Sequence, residues 1–293
     1  MTSAFRQALP YPRFCFFPLR SNVSEYEAVC LVTMPPSAES DRWKVARRPP
    51  DRRGQNKRLD GVTVLLAEDN PDGLTLLEEL LRAEGATCVA TCCGRQAFDD
   101  FSRQRPDVLI ADIWMPDGDG FELIRRIRAL EPEQGGLIPA IALSGSANVE
   151  QAIMAGYHVM LAKPFDNDQL VDLIDDFIRV DEATPSPRSP WTISSPTPGQ
   201  IALTYVGHVR ASDVRASMEA TVRHLRGEPV WITADLRAVT GFALTGAYVA
   251  QRIMWPYRDS IAHVRIVARP SLASIMASAA CHVLGVGCTM EIV

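Results

Sequence analysis

From Val62 to about Val180 the chain alternates short apolar runs with amphipathic stretches, and this alternation restricts the possible folds more than any other feature. The apolar runs are VTVLLA, TCVATC, VLIAD, AIALS and VMLAK, and the helical stretches are LTLLEELLRAEG, RQAFDDFSRQ, FELIRRIRAL, VEQAIMAG and DQLVDLIDDFI. Five strand–helix repeats predict a parallel sheet covered by helices on both faces. We therefore expect an α/β domain over residues 61–181 with a doubly wound, five-stranded parallel sheet.

Polar residues stand where the predicted strands end. Glu68 and Asp69 follow the first strand, Asp112 ends the third, and Ser144 and Lys163 end the last two. Ligands of open parallel sheets bind beyond the carboxyl ends of the strands, where the winding reverses. This set of residues indicates phosphoryl transfer onto a carboxylate, a reaction that needs added positive charge. Mg²⁺ prefers oxygen ligands, which fits direct ligation by Asp69 and Asp112 and ligation by Glu68 through water.

The motifs EDN, DIWMPDGDG, ALSG and AKPF, in this order, resemble the receiver domain of bacterial response regulators, which has a flavodoxin-like fold. The resemblance implies that Asp112 attacks a phosphohistidine of a sensor histidine kinase or a histidine phosphotransfer protein. It implies that Lys163 pairs with one phosphoryl oxygen and that the Ser144 hydroxyl donates to another. It adds the backbone carbonyl of Trp114 to the metal ligands and a cis peptide before Pro164.

Three positions depart from the family pattern. Met160 stands three residues before the lysine, where these domains usually carry an aromatic switch residue. Methionine is flexible enough to fill that space, but it cannot swing as a rigid ring. Trp114, two positions after Asp112, is bulky enough to shield an acyl phosphate from water, while Gly145 leaves room for a phosphodonor. We therefore predict a long-lived phosphoryl state.

The segments on either side of this domain differ from it in composition. Residues 1–60 are rich in proline and arginine, and this composition predicts a disordered extension. Residues 182–199 are rich in proline and serine, which predicts a linker. Residues 200–293 alternate again between apolar runs and helical stretches. They predict a second, smaller α/β domain.

Within that second domain, VWITADLRAVTGFALTGAYVAQ resembles the central strand, loop and helix of anti-sigma-factor antagonist (STAS) domains. The resemblance makes Thr245 a candidate for phosphorylation by a partner kinase, although Ala243 and Leu244 replace the usual acidic and hydroxyl residues. An ordinary helix N-terminus with Thr245 as its cap is the alternative. Asp235, at a predicted strand end, is a further candidate site residue.

Composition excludes several classes of protein. The chain has 293 residues, 47% of them hydrophobic, and a net charge of −5, which argues against a general nucleic-acid binder. No helix-turn-helix pattern is evident, so we expect no DNA-binding domain. The seven cysteines form no C-x-x-C pair and predict reduced thiols. No apolar stretch reaches the ~20 residues that cross a bilayer, so we expect a cytoplasmic protein without a membrane segment.

The sequence leaves two interpretations of the output open. In the first, a phosphorelay response regulator signals through protein contacts of its STAS-like domain with an unknown partner. In the alternative, the receiver gates a small-molecule or lipid binding module. We do not expect an enzyme, because the sequence offers no nucleophile–base pair and no glycine-rich phosphate loop.

Overall fold

A computed structural model of the chain describes residues 57–115, 119–145, 148–180, 189–225 and 227–293. Most of the predicted extension 1–60, and residues 182–188 of the predicted linker, lie outside the described residues.

The first domain is a five-stranded parallel sheet with the strand order β2-β1-β3-β4-β5. The strands are β1 (Thr63–Ala67), β2 (Thr87–Thr91), β3 (Val108–Asp112), β4 (Ala140–Ser144) and β5 (Val159–Ala162). The helices are α1 (Pro71–Ala83), α2 (Gly94–Gln104), α3 (Gly120–Arg128), α4 (Val149–Ala155) and α5 (Asn167–Ile178). This order is that of the flavodoxin-like fold, and it confirms the predicted sheet.

The sequence explains why strands and helices meet at one edge of this sheet. Every residue of β3 and β4 is buried, as expected for central strands covered on both faces. Helix α1 begins directly after β1 because the Asn70 side chain accepts hydrogen bonds from two backbone N–H groups of its first turn. Asp119, Asn148 and Asp166 cap α3, α4 and α5 in the same way. The polar strand ends therefore share the edge at which these helices start.

Two of the three predicted segment boundaries differ from the structure. Leu59 is fully buried and its N–H donates to Glu84 O at 2.9 Å, while Arg58 forms an ion pair with Asp172. Residues 57–60 thus pack on the first domain instead of belonging to the extension. Trp191–Ser194, inside the predicted linker, form strand β6, which pairs antiparallel with β7 (Gln200–Val209). The second sheet therefore begins before residue 200.

The second domain has five strands in the order β10-β9-β8-β7-β6, with β7 to β10 parallel. After β6 and β7 come α6 (Ala211–Val222), β8 (Val230–Phe242), α7 (Gly246–Met254), β9 (Ile261–Ala268), α8 (Leu272–Val283) and β10 (Cys288–Ile292). Because sequential parallel strands are joined by right-handed crossovers, α6, α7 and α8 lie on one face. Among the described residues no helix covers the other face, where Trp231 and Val206 are more than half exposed. The α/β class is confirmed.

The two domains share an apolar interface. Ile153 on α4 packs in one buried cluster with Ala247 of α7 and with Met276, Ala279 and Ala280 of α8. Beside it, Phe177 of α5 packs edge to face on Tyr248 of α7, with ring centroids 5.6 Å apart. The first domain therefore contacts the second through α4 and α5. In the described part of the chain, no helix is both long and apolar enough to span a membrane.

Candidate functional site

Three carboxylates meet at the carboxyl edge of the first sheet. Glu68 and Asp69 follow β1, Asp112 ends the neighbouring β3, and one oxygen from each lies within 4.8 Å of the others. Glu68 and Asp112 are buried, and Asp69 is half-buried. Such a group of acidic side chains has unfavourable mutual repulsion unless positive charge offsets it.

Lys163 supplies part of that positive charge. Its Nζ donates to Glu68 Oε2 at 2.5 Å and to Asp112 Oδ2 at 2.6 Å. Burial by itself lowers the pKa of Lys163, but the hydrogen bonds and opposite charges of Asp112 and Glu68 outweigh burial and raise the pKa above its ordinary value. The ammonium form is therefore retained throughout the neutral range.

The backbone after β3 fixes the second oxygen of Asp112. The N–H of Trp114 donates to Asp112 Oδ1 at 2.9 Å, so each carboxylate oxygen has a defined donor. The Trp114 indole is 56% exposed and stands edge-on to Phe121, with centroids 6.3 Å apart. The indole is thus largely open to solvent, and its role as a shield of an acyl phosphate stays a prediction.

The remaining predicted residues of this domain lie on β4, on β5 or directly after β5. Ser144 is buried at the end of β4, and its carbonyl accepts from the N–H of Lys163 at 2.8 Å. Met160 is half-buried, is paired with Ala142 across β4 and β5, and packs on the apolar cluster that contains Phe121. The Lys163–Pro164 peptide is cis, as expected from the sequence.

The two candidate site residues of the second domain, Thr245 and Asp235, lie outside the acidic group of the first domain. Thr245 stands at the N-cap position of α7, but it is only 5% exposed and its hydroxyl makes no capping bond to the described backbone. Its helical φ of −79° and ψ of −5° keep the hydroxyl away from the first-turn N–H groups. Asp235 is not at a strand end, because β8 continues to Phe242; its carboxylate pairs with Arg237.

Sequence reasoning missed three buried polar residues at and near the domain interface. Tyr157 Oη donates to Gly120 O at 2.8 Å, and His158 Nε2 lies 3.0 Å from Gln251 Oε1 of α7. Tyr157 and His158 could have been found from the sequence, because they form a polar pair inside the apolar run GYHVML, just before β5. Buried polar groups are nearly always hydrogen-bonded, so such a pair predicts specific partners.

The hydrogen bonds of His158 define its tautomer. Its Nδ1 accepts from the N–H of Ala140 at 3.0 Å and lies 3.3 Å from Arg128 Nη2. The proton is therefore on Nε2, which donates to Gln251. Burial, and next the positive charge of Arg128, lower the pKa of His158 well below its ordinary value, although the Gln251 hydrogen bond opposes this. His158 is neutral in the folded protein.

The acidic group fits a hard divalent cation. In an octahedral Mg²⁺ site with Mg–O distances of about 2.1 Å, ligand oxygens lie roughly 3 to 4 Å apart. The 4.8 Å limit that encloses the Glu68, Asp69 and Asp112 oxygens is close to this spacing. Among the described residues these three side chains form the only group of His, Cys, Asp and Glu with such a geometry.

Known proteins resemble the first domain. Residues 64–175 match the family described as response regulator receiver domain. An uncharacterized 14.6 kDa protein from the sodA1 3′ region of Leptolyngbya boryana is 36% identical over 122 residues, which are 41% of this chain and 92% of that protein. The DNA-binding transcriptional regulator NtrC of Klebsiella pneumoniae is 31% identical over 135 residues, which are 45% of this chain and 28% of NtrC.

Among solved structures, the receiver domain of the sensor histidine kinase PA1611 from Pseudomonas aeruginosa PAO1, with magnesium coordinated in its active-site cleft, is 37% identical. The match covers 39% of this chain and 94% of that domain, with a TM-score of 0.37. The matching region thus accounts for almost all of the Leptolyngbya protein but little more than a quarter of NtrC.

A five-stranded sheet of order 2-1-3-4-5 with an acidic group and a lysine at its carboxyl edge defines a receiver domain. The 36% identity over 92% of the Leptolyngbya protein and the family match agree with the geometry. Through residues 64–175 the chain belongs to the response regulator receiver family of two-component signalling.

Proposed function

We propose that the chain accepts a phosphoryl group from a phosphohistidine onto Asp112 and signals through protein contacts of its C-terminal, STAS-like domain. The donor is a sensor histidine kinase or a histidine phosphotransfer protein, and the contact partner is another protein. In this proposal the output is binding, without DNA recognition or catalysis by the second domain.

One observation carries the proposal: Lys163 bonds both Glu68 and Asp112 while Asp69 completes a group of three carboxylates. A structural ion pair needs one carboxylate, whereas a third acidic group beside it is costly without a cation. Asp69 and Asp112 would hold Mg²⁺ directly, with Glu68 through water and the Trp114 carbonyl in addition. When bound, Mg²⁺ would neutralise charge on the phosphoryl oxygens.

Three side chains have separate roles in the proposed phosphoryl transfer. Asp112 provides the nucleophilic oxygen, and the Trp114 N–H keeps its carboxylate from rotating. Lys163, protonated at neutral pH, pairs with a phosphoryl oxygen, and the Ser144 hydroxyl donates to another. Ser144 ends β4, and α4 begins five residues later at Val149.

The proposed signal reaches the second domain through α4. A shift of Ser144 toward a phosphoryl oxygen would pull on the connection to α4, whose Ile153 packs on Met276, Ala279 and Ala280 of α8. Met160 is half-buried beside Ala142 and lacks a rigid ring, so α4 is the more direct route. Thr245 is excluded as a phosphorylation switch in this proposal because a partner kinase cannot reach a buried hydroxyl.

Intact mass measurement tests the phosphoryl transfer. The full chain is incubated with Mg²⁺ and phosphoramidate, beside Asp112→Asn and, as a matched control, the exposed Asp99→Asn. We expect one added phosphoryl group in the wild type and in Asp99→Asn, and none in Asp112→Asn. Uptake by Asp112→Asn would contradict the assignment of the acceptor. If small donors fail, a histidine-phosphorylated phosphotransfer protein replaces them, and failure there as well would contradict the function.

A cleft in the second domain favours the alternative of a gated small-molecule module. It has a volume of about 450 Å³ beyond the point where β8 leaves β9, and it is lined by Thr204, Asp235, Arg237, Ala238, Val239, Thr240 and Arg269. Native mass spectrometry of the purified full chain tests this alternative. A copurified ligand that Arg269→Ala loses and Arg265→Ala keeps would support it, because Arg265 pairs with Glu291 outside the cleft. Protein without ligand in all three samples would count against it.

A further inference from the structure

Tyr157 is a buried residue that joins the start of β5 to the backbone that follows the phosphoryl-acceptor strand. Its side chain is 2% exposed and lies in the apolar cluster that also contains Ile113 and Phe121. Its Oη donates to the carbonyl of Gly120, the first residue of α3, at 2.8 Å. This buried bond joins two residues that are 37 positions apart in the sequence.

Gly120 in turn touches the acceptor residue. A Cβ atom added to Gly120 would lie 2.4 Å from the carbonyl oxygen of Asp112 and 2.9 Å from Tyr157 Oη, so this position has space only for glycine. The N–H of Gly120 donates to Ile113 O at 2.9 Å. Gly120 is therefore held on one side by Tyr157 and itself holds the residue after Asp112.

One peptide unit completes the connection. The Ile113 carbonyl and the Trp114 N–H belong to the same planar peptide. Its carbonyl accepts from Gly120, and its N–H donates to Asp112 Oδ1 at 2.9 Å. A rotation of this peptide would break both bonds together. The orientation of the Asp112 carboxylate thus depends on where Gly120 lies.

We propose that Tyr157 is a positioning residue of the acidic site: its hydroxyl holds Gly120, and through the Ile113–Trp114 peptide it fixes the orientation of the Asp112 carboxylate. The proposal rests on the proposed function of Asp112 as the phosphoryl acceptor. The Tyr157 hydroxyl bonds the Gly120 carbonyl, and in this proposal it acts only through Gly120. A role in packing alone would need the ring of Tyr157 but not its hydroxyl.

The chain offers a matched control for the hydroxyl. Tyr205, in β7 of the second domain, is 5% exposed and shares a hydrogen bond of 2.6 Å with the hydroxyl of Ser217. Tyr157→Phe and Tyr205→Phe each remove one buried phenolic oxygen and keep the ring. Only Tyr157→Phe should change the acidic site, because Tyr205 bonds within the second domain.

Hydrogen exchange and Mg²⁺ binding of the full-length variants test the proposal. We expect Tyr157→Phe to exchange the Trp114 and Gly120 amides about tenfold faster than the wild type, as loss of one buried hydrogen bond allows. We expect calorimetry to show weaker Mg²⁺ binding and phosphoramidate to label Asp112 about tenfold more slowly. Tyr205→Phe should match the wild type in all three measurements.

Two results would overturn the proposal: wild-type exchange and Mg²⁺ affinity in Tyr157→Phe, or equal changes in both variants, which would indicate general destabilisation. If the wild type takes up no phosphoryl group, the proposed function fails, while amide exchange and Mg²⁺ affinity still decide the role of Tyr157. If Tyr157→Phe does not fold, Gly120→Ala displaces the same backbone by its added methyl group. Unchanged Mg²⁺ affinity in Gly120→Ala would then refute the connection.

Discussion

Replacing Gln251 by leucine tests the most specific contact between the two domains. The change removes the Oε1 atom that accepts the Nε2 proton of His158, and both residues are only 2% exposed. Water therefore cannot take the place of the lost acceptor. Leucine and glutamine have similar size and similar helix propensity, so α7 itself should tolerate the change.

The expected cost follows from the chemistry of the contact. A buried donor left without an acceptor costs about 1–3 kcal/mol, and the neighbouring Arg128 and Ala140 donors prevent His158 from using its Nδ1 atom differently. Against a typical total of about 5–15 kcal/mol, this loss is measurable. Urea unfolding at pH 7.5, followed by circular dichroism, measures the free energy of unfolding of Gln251→Leu and of the wild type.

Gln151→Leu serves as the control, because Gln151 lies on the exposed side of α4. Its free energy of unfolding should stay within roughly 0.5 kcal/mol of the wild type. If the free energy of unfolding falls no more in Gln251→Leu than in Gln151→Leu, then His158 is not buried between the domains. The described interface would then not persist in solution.

Three further measurements test other parts of the structure. Because the folded-state pKa of His158 lies well below its unfolded value, only the unfolded chain gains this proton as pH falls below about 6.5, so stability should drop by up to about 1.4 kcal/mol per pH unit. His158→Gln should show a shallower dependence in urea titrations between pH 7.5 and 5.5, and an identical slope would remove His158 as the cause. Phe177→Ala should cost about 3–5 kcal/mol in the same assay, since its ring is buried between His158 and Tyr248, and a loss below 1 kcal/mol would mean that the domains do not pack there. If the Trp114 indole shields the acyl phosphate, Trp114→Ala should shorten the phosphoryl lifetime roughly tenfold by intact mass, whereas Trp231→Ala, equally exposed at 56%, should leave it unchanged.

The cleft of the second domain is a consequence of one strand. Strand β8 pairs with β9 only as far as Asp235 and then continues beside β7 to Phe242. Sequence patterns place Asp235 at a strand end because an acidic residue and an arginine follow an apolar run. The pairing of Ala238, Val239, Gly241 and Phe242 with β7 depends on long-range hydrogen bonds that no local pattern reports.

The receiver domain could be predicted from the sequence because its signals are local. Apolar runs such as VLIAD define buried strands, and residues such as Asn70 and Asp119 cap the helices that follow. In a parallel sheet the carboxyl ends of the strands share one edge. For that reason the strand-end positions of Asp69, Asp112 and Lys163 were enough to predict that their side chains meet.

Only the tertiary structure decided which residues join the second domain to the first and which residues fix the backbone next to Asp112. His158 and Gln251 are 93 positions apart, and Tyr157 and Gly120 are 37 apart. The polarity of such residues reveals that each needs a partner, but not which one. The partner is fixed by packing: the start of α3 brings the Gly120 carbonyl to Tyr157, and α7 brings Gln251 to His158.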